Sequence, residues 1–243
     1  MQKYKSNVII LTTGLSGSSL ITSLIASAGY WIGKKTRVKD NYSGHYDTFE
    51  NEKLIHLNEN LFKQLNLTFN ANTPYAKETF ELITNSYSVL DKNEHQKFIA
   101  HCDSNSPWIW KDPRLRVTLG FWLELIQTHD LKFILVTREP WSLWVSLLNK
   151  RQIVVLETVK RFELETRELL RSYAKGKNIP LCTINFDKLI SKPEPQIEKI
   201  NQFLGVDLSR EDYNNVANLA LVKESRSYIR QVKALLIFIK NYF

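Results

Sequence analysis

Two groups of residues in this chain have the types and spacing to hold phosphate-like anions. The first is Gly14-Leu15-Ser16-Gly17-Ser18-Ser19. Its small residues leave backbone N–H groups uncovered, and its three hydroxyls can add hydrogen bonds to phosphate oxygens. Val8-Ile9-Ile10-Leu11 precedes it and Leu20, Ile21, Leu24 and Ile25 follow at helical spacing, so the turn joins a buried strand to a helix N-terminus. There the N–H groups and the positive end of the helix dipole surround one anion. The loop lacks a Walker A lysine, whose place falls at Ser18, which argues against triphosphate hydrolysis. A Ser/Gly turn that binds nothing is the bland alternative.

The second group is Arg138 and Ser146. The run Phe133-Ile134-Leu135-Val136-Thr137 reads as a strand that delivers Arg138 at its C-terminal end, the edge where ligands bind in open parallel sheets. Ser146 lies on the following helix. A guanidinium and a hydroxyl can share one phosphate, the first through paired charged donors and the second through a directed hydrogen bond. The competing role for Arg138 is a surface pair with Glu139.

The elements that must position these groups alternate. Strands are predicted at Asn7 to Thr12, Trp108 to Trp110, Lys132 to Thr137 and Leu181 to Asn185. Helices are predicted at Ser18 to Ala28, Asn51 to Leu65, Pro74 to Phe98, Leu115 to His129, Trp141 to Arg151 and Val154 to Lys175. Pro193 to Leu204, Arg210 to Leu221 and Tyr228 to Phe243 complete a helical C-terminal part, while Lys39 to Glu50, polar and aromatic with Gly44, reads as a loop. This is an α/β pattern: a single domain with a central parallel β-sheet flanked by helices.

A chain of 243 residues, 43% hydrophobic and 24% charged, is sized for one globular domain. The net charge of +8 favours a polyanionic partner. The basic residues are spread along the chain and match no nucleic-acid signature, so no nucleic-acid partner is expected. Cys102 and Cys182 stand far apart, which implies neither a disulfide framework nor a metal site and fits a reducing, cytoplasmic compartment. The uncharged stretch from Ser6 to Gly33 resembles a membrane span, but Thr12, Thr13, Ser16, Ser18, Ser19, Thr22 and Ser23 break it, so stable insertion is not expected. The C-terminal helix sets Ile229, Val232, Leu236, Ile239 and Phe243 against Arg230, Lys233 and Lys240; packing on the domain is expected, with peripheral contact to an anionic membrane as the alternative. Trp108, Trp110, Trp122, Trp141 and Trp144 read as core.

The loop Gly14 to Ser19 and the Arg138-Glu139-Pro140 strand end with Ser146 resemble the two nucleotide-binding motifs of sulfotransferases that use 3′-phosphoadenosine 5′-phosphosulfate (PAPS). Trp110-Lys111-Asp112-Pro113-Arg114, Gly44 to Asn58 with Phe49-Glu50, and Ile184 to Leu189 with Phe203-Leu204-Gly205 are similar to further segments of the family's bacterial branch, in the same order. The resemblance implies a P-loop-like fold covering residues 1–33 as the phosphate-loop unit, 34–106 as a mostly helical acceptor-side excursion, 107–206 as the remaining sheet with the 3′-phosphate motif, and 207–243 as C-terminal helices. It implies that the first loop holds the 5′-phosphosulfate and that Arg138 and Ser146 hold the 3′-phosphate. The reaction implied is sulfuryl transfer to a hydroxyl or amine of a small-molecule, lipid or glycan acceptor, leaving adenosine 3′,5′-bisphosphate. Where the family's loop carries a basic residue, this chain has Leu15; Lys111 is the first candidate to replace that charge, with Lys34, Lys35 and Arg37 behind it. Glu50 matches the family's base position, with His45 second, and Asp112 is expected to orient Lys111 or Arg114. ATP-dependent phosphoryl transfer and non-catalytic binding of the bisphosphate are the alternatives.

Overall fold

The computed structural model describes residues 5–13, 16–41, 44–68, 76–217 and 228–242, with the backbone alone at 40, 41, 44, 45, 76 and 242. In chain order its elements are β1 (Asn7–Thr12), α1 (Ser18–Ser27), β2 (Thr36–Asn41), β3 (Gly44–Asn51), α2 (Glu52–Gln64), α3 (Ala76–Asn85), α4 (Asn93–Asp103), β4 (Ile109–Lys111) and α5 (Leu115–Leu123). There follow β5 (Leu131–Thr137), α6 (Pro140–Asn149), α7 (Leu156–Gly176), β6 (Leu181–Asn185), α8 (Phe186–Ser191), α9 (Pro193–Leu204) and α10 (Arg210–Val216). The C-terminal helix, Tyr228–Tyr242, is α11 here.

A parallel sheet in the order β4-β1-β5-β6 forms the centre. Val8-Ile9-Ile10-Leu11 is apolar without alternation because both faces of β1 are buried. Ile9 and Leu11 join Trp108, Trp110, Phe133 and Leu135 in a core covered by α2, α3, α4, α5 and α7. Val8 and Ile10 join Ile109, Ile134 and Val136 in a second core under α1, α8, α9 and α10. Leu143, Trp144, Leu148, Val159 and Ala234 form a third, where α6, α7 and α11 meet.

The parallel register aligns the strand ends. Ile10 pairs with Lys111, Thr12 with Val136 and Thr137 with Asn185. The C-terminal ends of all four strands, and whatever side chains follow them, therefore lie along one edge.

Lys39 to Glu50, read from sequence as a loop, is most of an antiparallel hairpin in which Val38 pairs with Asp47 and Lys39 with Tyr46. The correction has a physical cause: this hairpin packs inward through polar groups, so apolar alternation never arises. Thr48 Oγ1 donates to the Arg37 carbonyl at 2.8 Å, and Glu50 is buried against Lys111. The helix expected over Pro74 to Phe98 is two, α3 and α4. Between them Lys92 Nζ donates to the carbonyls of Tyr87 (3.0 Å) and Leu90 (2.9 Å), closing the turn. α5 ends at Leu123 rather than His129; α10 ends at Val216 with Ala217 extended, and the rest of the stretch expected to run to Leu221 lies outside the described residues. Among the described residues no helix is long and apolar enough to cross a membrane; Ser6 to Gly33 contributes β1 and α1 instead.

Candidate active site

α1 begins without a side-chain cap and with no acidic residue in its first turn, so among the described residues no side chain competes for its leading N–H groups. Gly17 is its N-cap, at φ 79°. A Cβ there would lie 2.1 Å from the Phe186 ring, so only glycine fits. Ser16 is turned into the fold, its hydroxyl bonded to that of Thr12. Ser18 is buried, its carbonyl accepting from Thr22 Oγ1 at 2.8 Å. Ser19 Oγ donates to the Thr48 carbonyl at 3.1 Å, tying the helix to β3. Gly14 and Leu15 lie outside the described residues.

The C-terminal end of β4 brings Lys111 to the same place. Its ammonium donates to Glu50 Oε1 at 2.7 Å, the Thr48 carbonyl at 3.0 Å and Ser19 Oγ at 3.3 Å, which uses all three of its hydrogens. Lys111 is 4% exposed and Glu50 3%. Among the described residues Lys111 is the sole hydrogen-bond donor to the Glu50 carboxylate. Phe49, just before it, has φ 55°, a conformation costly for an aromatic residue. The Asp47 carboxylate braces it, accepting from Phe49 N at 2.7 Å.

Asp112 orients Arg114 rather than Lys111: it accepts from Arg114 N at 2.9 Å and from Arg114 Nη1 at 3.1 Å, and from Asn58 Nδ2 at 2.8 Å. Burial pushes the Asp112 carboxyl above the usual range, and the Arg114 charge pulls against it. Arg114 reaches on to Glu59 at 2.6 Å. Lys34 and Lys35 are exposed and Arg37 is half-buried. His45 pairs through its backbone with Asp40, and its side chain lies outside the described residues.

Arg138 is 7% exposed and its Nη1 donates to Ser146 Oγ at 3.0 Å; the Ser146 hydroxyl in turn donates a hydrogen bond to the Ser142 carbonyl at 3.0 Å. The carboxylate near Arg138 belongs to Asp187, 3.8 Å from Nε, whereas Glu139 accepts from Asn185 Nδ2 at 3.3 Å. Burial lowers the Arg138 pKa, Asp187 opposes that and Arg230 adds to it.

Phe186 joins the two motifs. One part of its ring abuts Gly17, and the Arg138 guanidinium lies over it with 5.3 Å between Cζ and the centroid. The serine-rich turn and the arginine-serine couple are thus neighbours along one sheet edge. Sequence reasoning did not find Phe186, although it follows the end of β6 as Arg138 follows the end of β5. Arg116 was also missed: buried within apolar α5, it donates to the carbonyl of Thr13 at 3.3 Å, at the entry to the loop. Burial depresses its pKa to about 10. A lone charge inside an apolar helix was the available signal.

The family model described as "Sulfotransferase family" matches residues 7–210. No sequence among the curated proteins matches the chain. Solved structures that share its fold include two sulfotransferase domains. The sulfotransferase domain from the Synechococcus PCC 7002 olefin synthase is 16% identical, with a TM-score of 0.57 and coverage of 100% of this chain and 97% of that one. The sulfotransferase domain from the curacin biosynthetic pathway is 15% identical, with a TM-score of 0.54 and coverage of 87% and 77%. With a family model spanning most of its length and those relatives in fold, the chain belongs to the sulfotransferase family.

Proposed function

We propose that this chain transfers a sulfuryl group from PAPS to a hydroxyl or amine of a carbohydrate, lipid or small-metabolite acceptor. The carrying observation is the adjacency of the two anion-type pockets through Phe186, with the Lys111–Glu50 pair beside the first. The donor set suits the nucleotide: uncapped N–H groups at α1 for one end, a guanidinium and hydroxyl for the other. The nucleotide supplies the activated sulfuryl group, which passes in line from phosphate oxygen to acceptor.

The residues of this chain do the rest. α1 and Ser19 bind the 5′ end, and Arg138 with Ser146 binds the 3′-phosphate. Glu50 accepts the acceptor's proton through the oxygen that Lys111 leaves open. Lys111, touching both Ser19 and Glu50, supplies the charge that Leu15 does not and offsets the growing charge on the leaving phosphate. Cys102 and Cys182, both free and buried, fit a reducing compartment such as the cytoplasm.

Calorimetric titration with adenosine 3′,5′-bisphosphate and with ATP tests this. The bisphosphate is expected to bind more tightly, Arg138→Ala to remove most of the difference, and Glu50→Gln to leave binding intact while abolishing transfer. Equal affinity for the two nucleotides, or an Arg138→Ala protein that still discriminates, overturns the assignment.

A further inference from the structure

We propose that Lys39 and Lys150 form an additional oxyanion seat linking the Glu50–Lys111 pair to the Arg138–Ser146 pair. They come from separate segments. On β2 the side chains of Arg37 and Lys39 alternate to one face and Val38, 49% exposed, to the other, so Lys39 faces inward and is half-buried. Lys150 closes α6 four residues after Ser146, which places it on the helix face that carries Ser146 toward Arg138. The neighbouring residue, Asn149, donates from Nδ2 to the Arg230 carbonyl at 3.1 Å, so the start of α11 adds a further cation there.

Among the described residues neither lysine's ammonium group has a hydrogen-bond or ion-pair partner, while their backbones are held by the β2–β3 ladder and by the Leu147 carbonyl. The electrostatics follow from the placement. Burial lowers the Lys39 pKa, Glu50 opposing and Lys111, Arg37 and Arg114 adding to the effect. Burial, with Lys39, Arg138 and Arg230 nearby, brings Lys150 down to about 8. Half-buried ammonium groups among like charges destabilise the folded protein until an anion arrives. The ligand class is a phosphate-like or carboxylate oxyanion, from the nucleotide or from the acceptor.

The seat rests on the nucleotide reading for its place between two phosphate pockets, yet the two fail separately: equal affinity for ATP and the bisphosphate in the unaltered protein sinks that reading and not this one. Lys39→Met and Lys150→Met are compared with Lys39→Arg and Lys150→Arg. In one arm adenosine 3′,5′-bisphosphate is titrated by calorimetry. In the other, inorganic phosphate is added to protein saturated with the bisphosphate and the rise in Tm is read. If the nucleotide fills the seat, the Met variants lose about tenfold or more in bisphosphate affinity while the Arg variants hold it. If an acceptor group fills it, bisphosphate affinity stays and the phosphate-dependent rise in Tm disappears in the Met variants alone. Met variants matching the unaltered protein in both arms, or Arg variants failing as badly as Met, overturn the proposal.

Discussion

Gly17 carries more of this site than its size suggests. Its left-handed backbone starts α1, and its missing side chain lets Phe186 close against the loop while Arg138 lies over the same ring. Gly17→Ala combines left-handed strain with a clash of ring against Cβ, so a loss of at least about 2 kcal/mol of stability is expected from denaturant unfolding. The double variant with Phe186→Ala removes the clash and is expected to lose less than the sum of the single losses. Strict additivity would mean that ring and glycine do not share a site. Arg138, Ser146, Lys111 and Glu50 were legible because each sits at a strand end or beside a motif of definite chemistry. Phe186 and Thr48 were not. Phe186 acts as a spacer between the Gly17 backbone and the Arg138 guanidinium, and Thr48 offers its carbonyl, a group every residue has.

Among the elements, β1 and β5 were legible as nearly continuous apolar runs, since burial on both faces leaves few polar positions, whereas β6 buries only Cys182 and Ile184 and alternates them with Thr183 and Asn185. The β2–β3 hairpin was not, because hydrogen bonds and one ion pair replace the apolar contacts that give a strand its alternation. Asn51, at the joint between hairpin and α2, shows how the hairpin is anchored. Its side chain accepts from Lys53 N at 3.0 Å and Leu54 N at 3.4 Å, capping α2, and it packs over Gly33. Asn51→Ala is expected to cost about 1 kcal/mol in urea denaturation, and Asn51→Asp to keep most of the cap. Equal losses in the two variants would show that packing on Gly33, rather than the cap, holds the joint.

For the whole molecule, the excess of eight positive charges matters through where it gathers, and the pH dependence of stability reports that. Lys150 has a folded-state pKa of about 8 against an ordinary 10.5, so above pH 8 the folded protein sheds a proton that the unfolded chain keeps. Stability therefore rises with pH from about 8 toward 10.5 on this account, at less than the roughly 1.4 kcal/mol per pH unit that one group can supply. Cys102 opposes it. Burial raises its thiol from 9.0 to about 12, so the folded protein holds that proton after the unfolded chain has lost it, and stability falls as pH climbs past 9.0. Tyr30, raised from 10.0 to about 12, adds to the fall at still higher pH. The two signs leave a window between about pH 8 and 9 in which the lysine dominates. Urea unfolding at the two ends of that window is expected to show a gain for the unaltered protein and a smaller one for Lys150→Met. An equal gain in both proteins would mean that Lys150 is as well solvated as a surface lysine, and that the cations along this sheet edge do not press on one another.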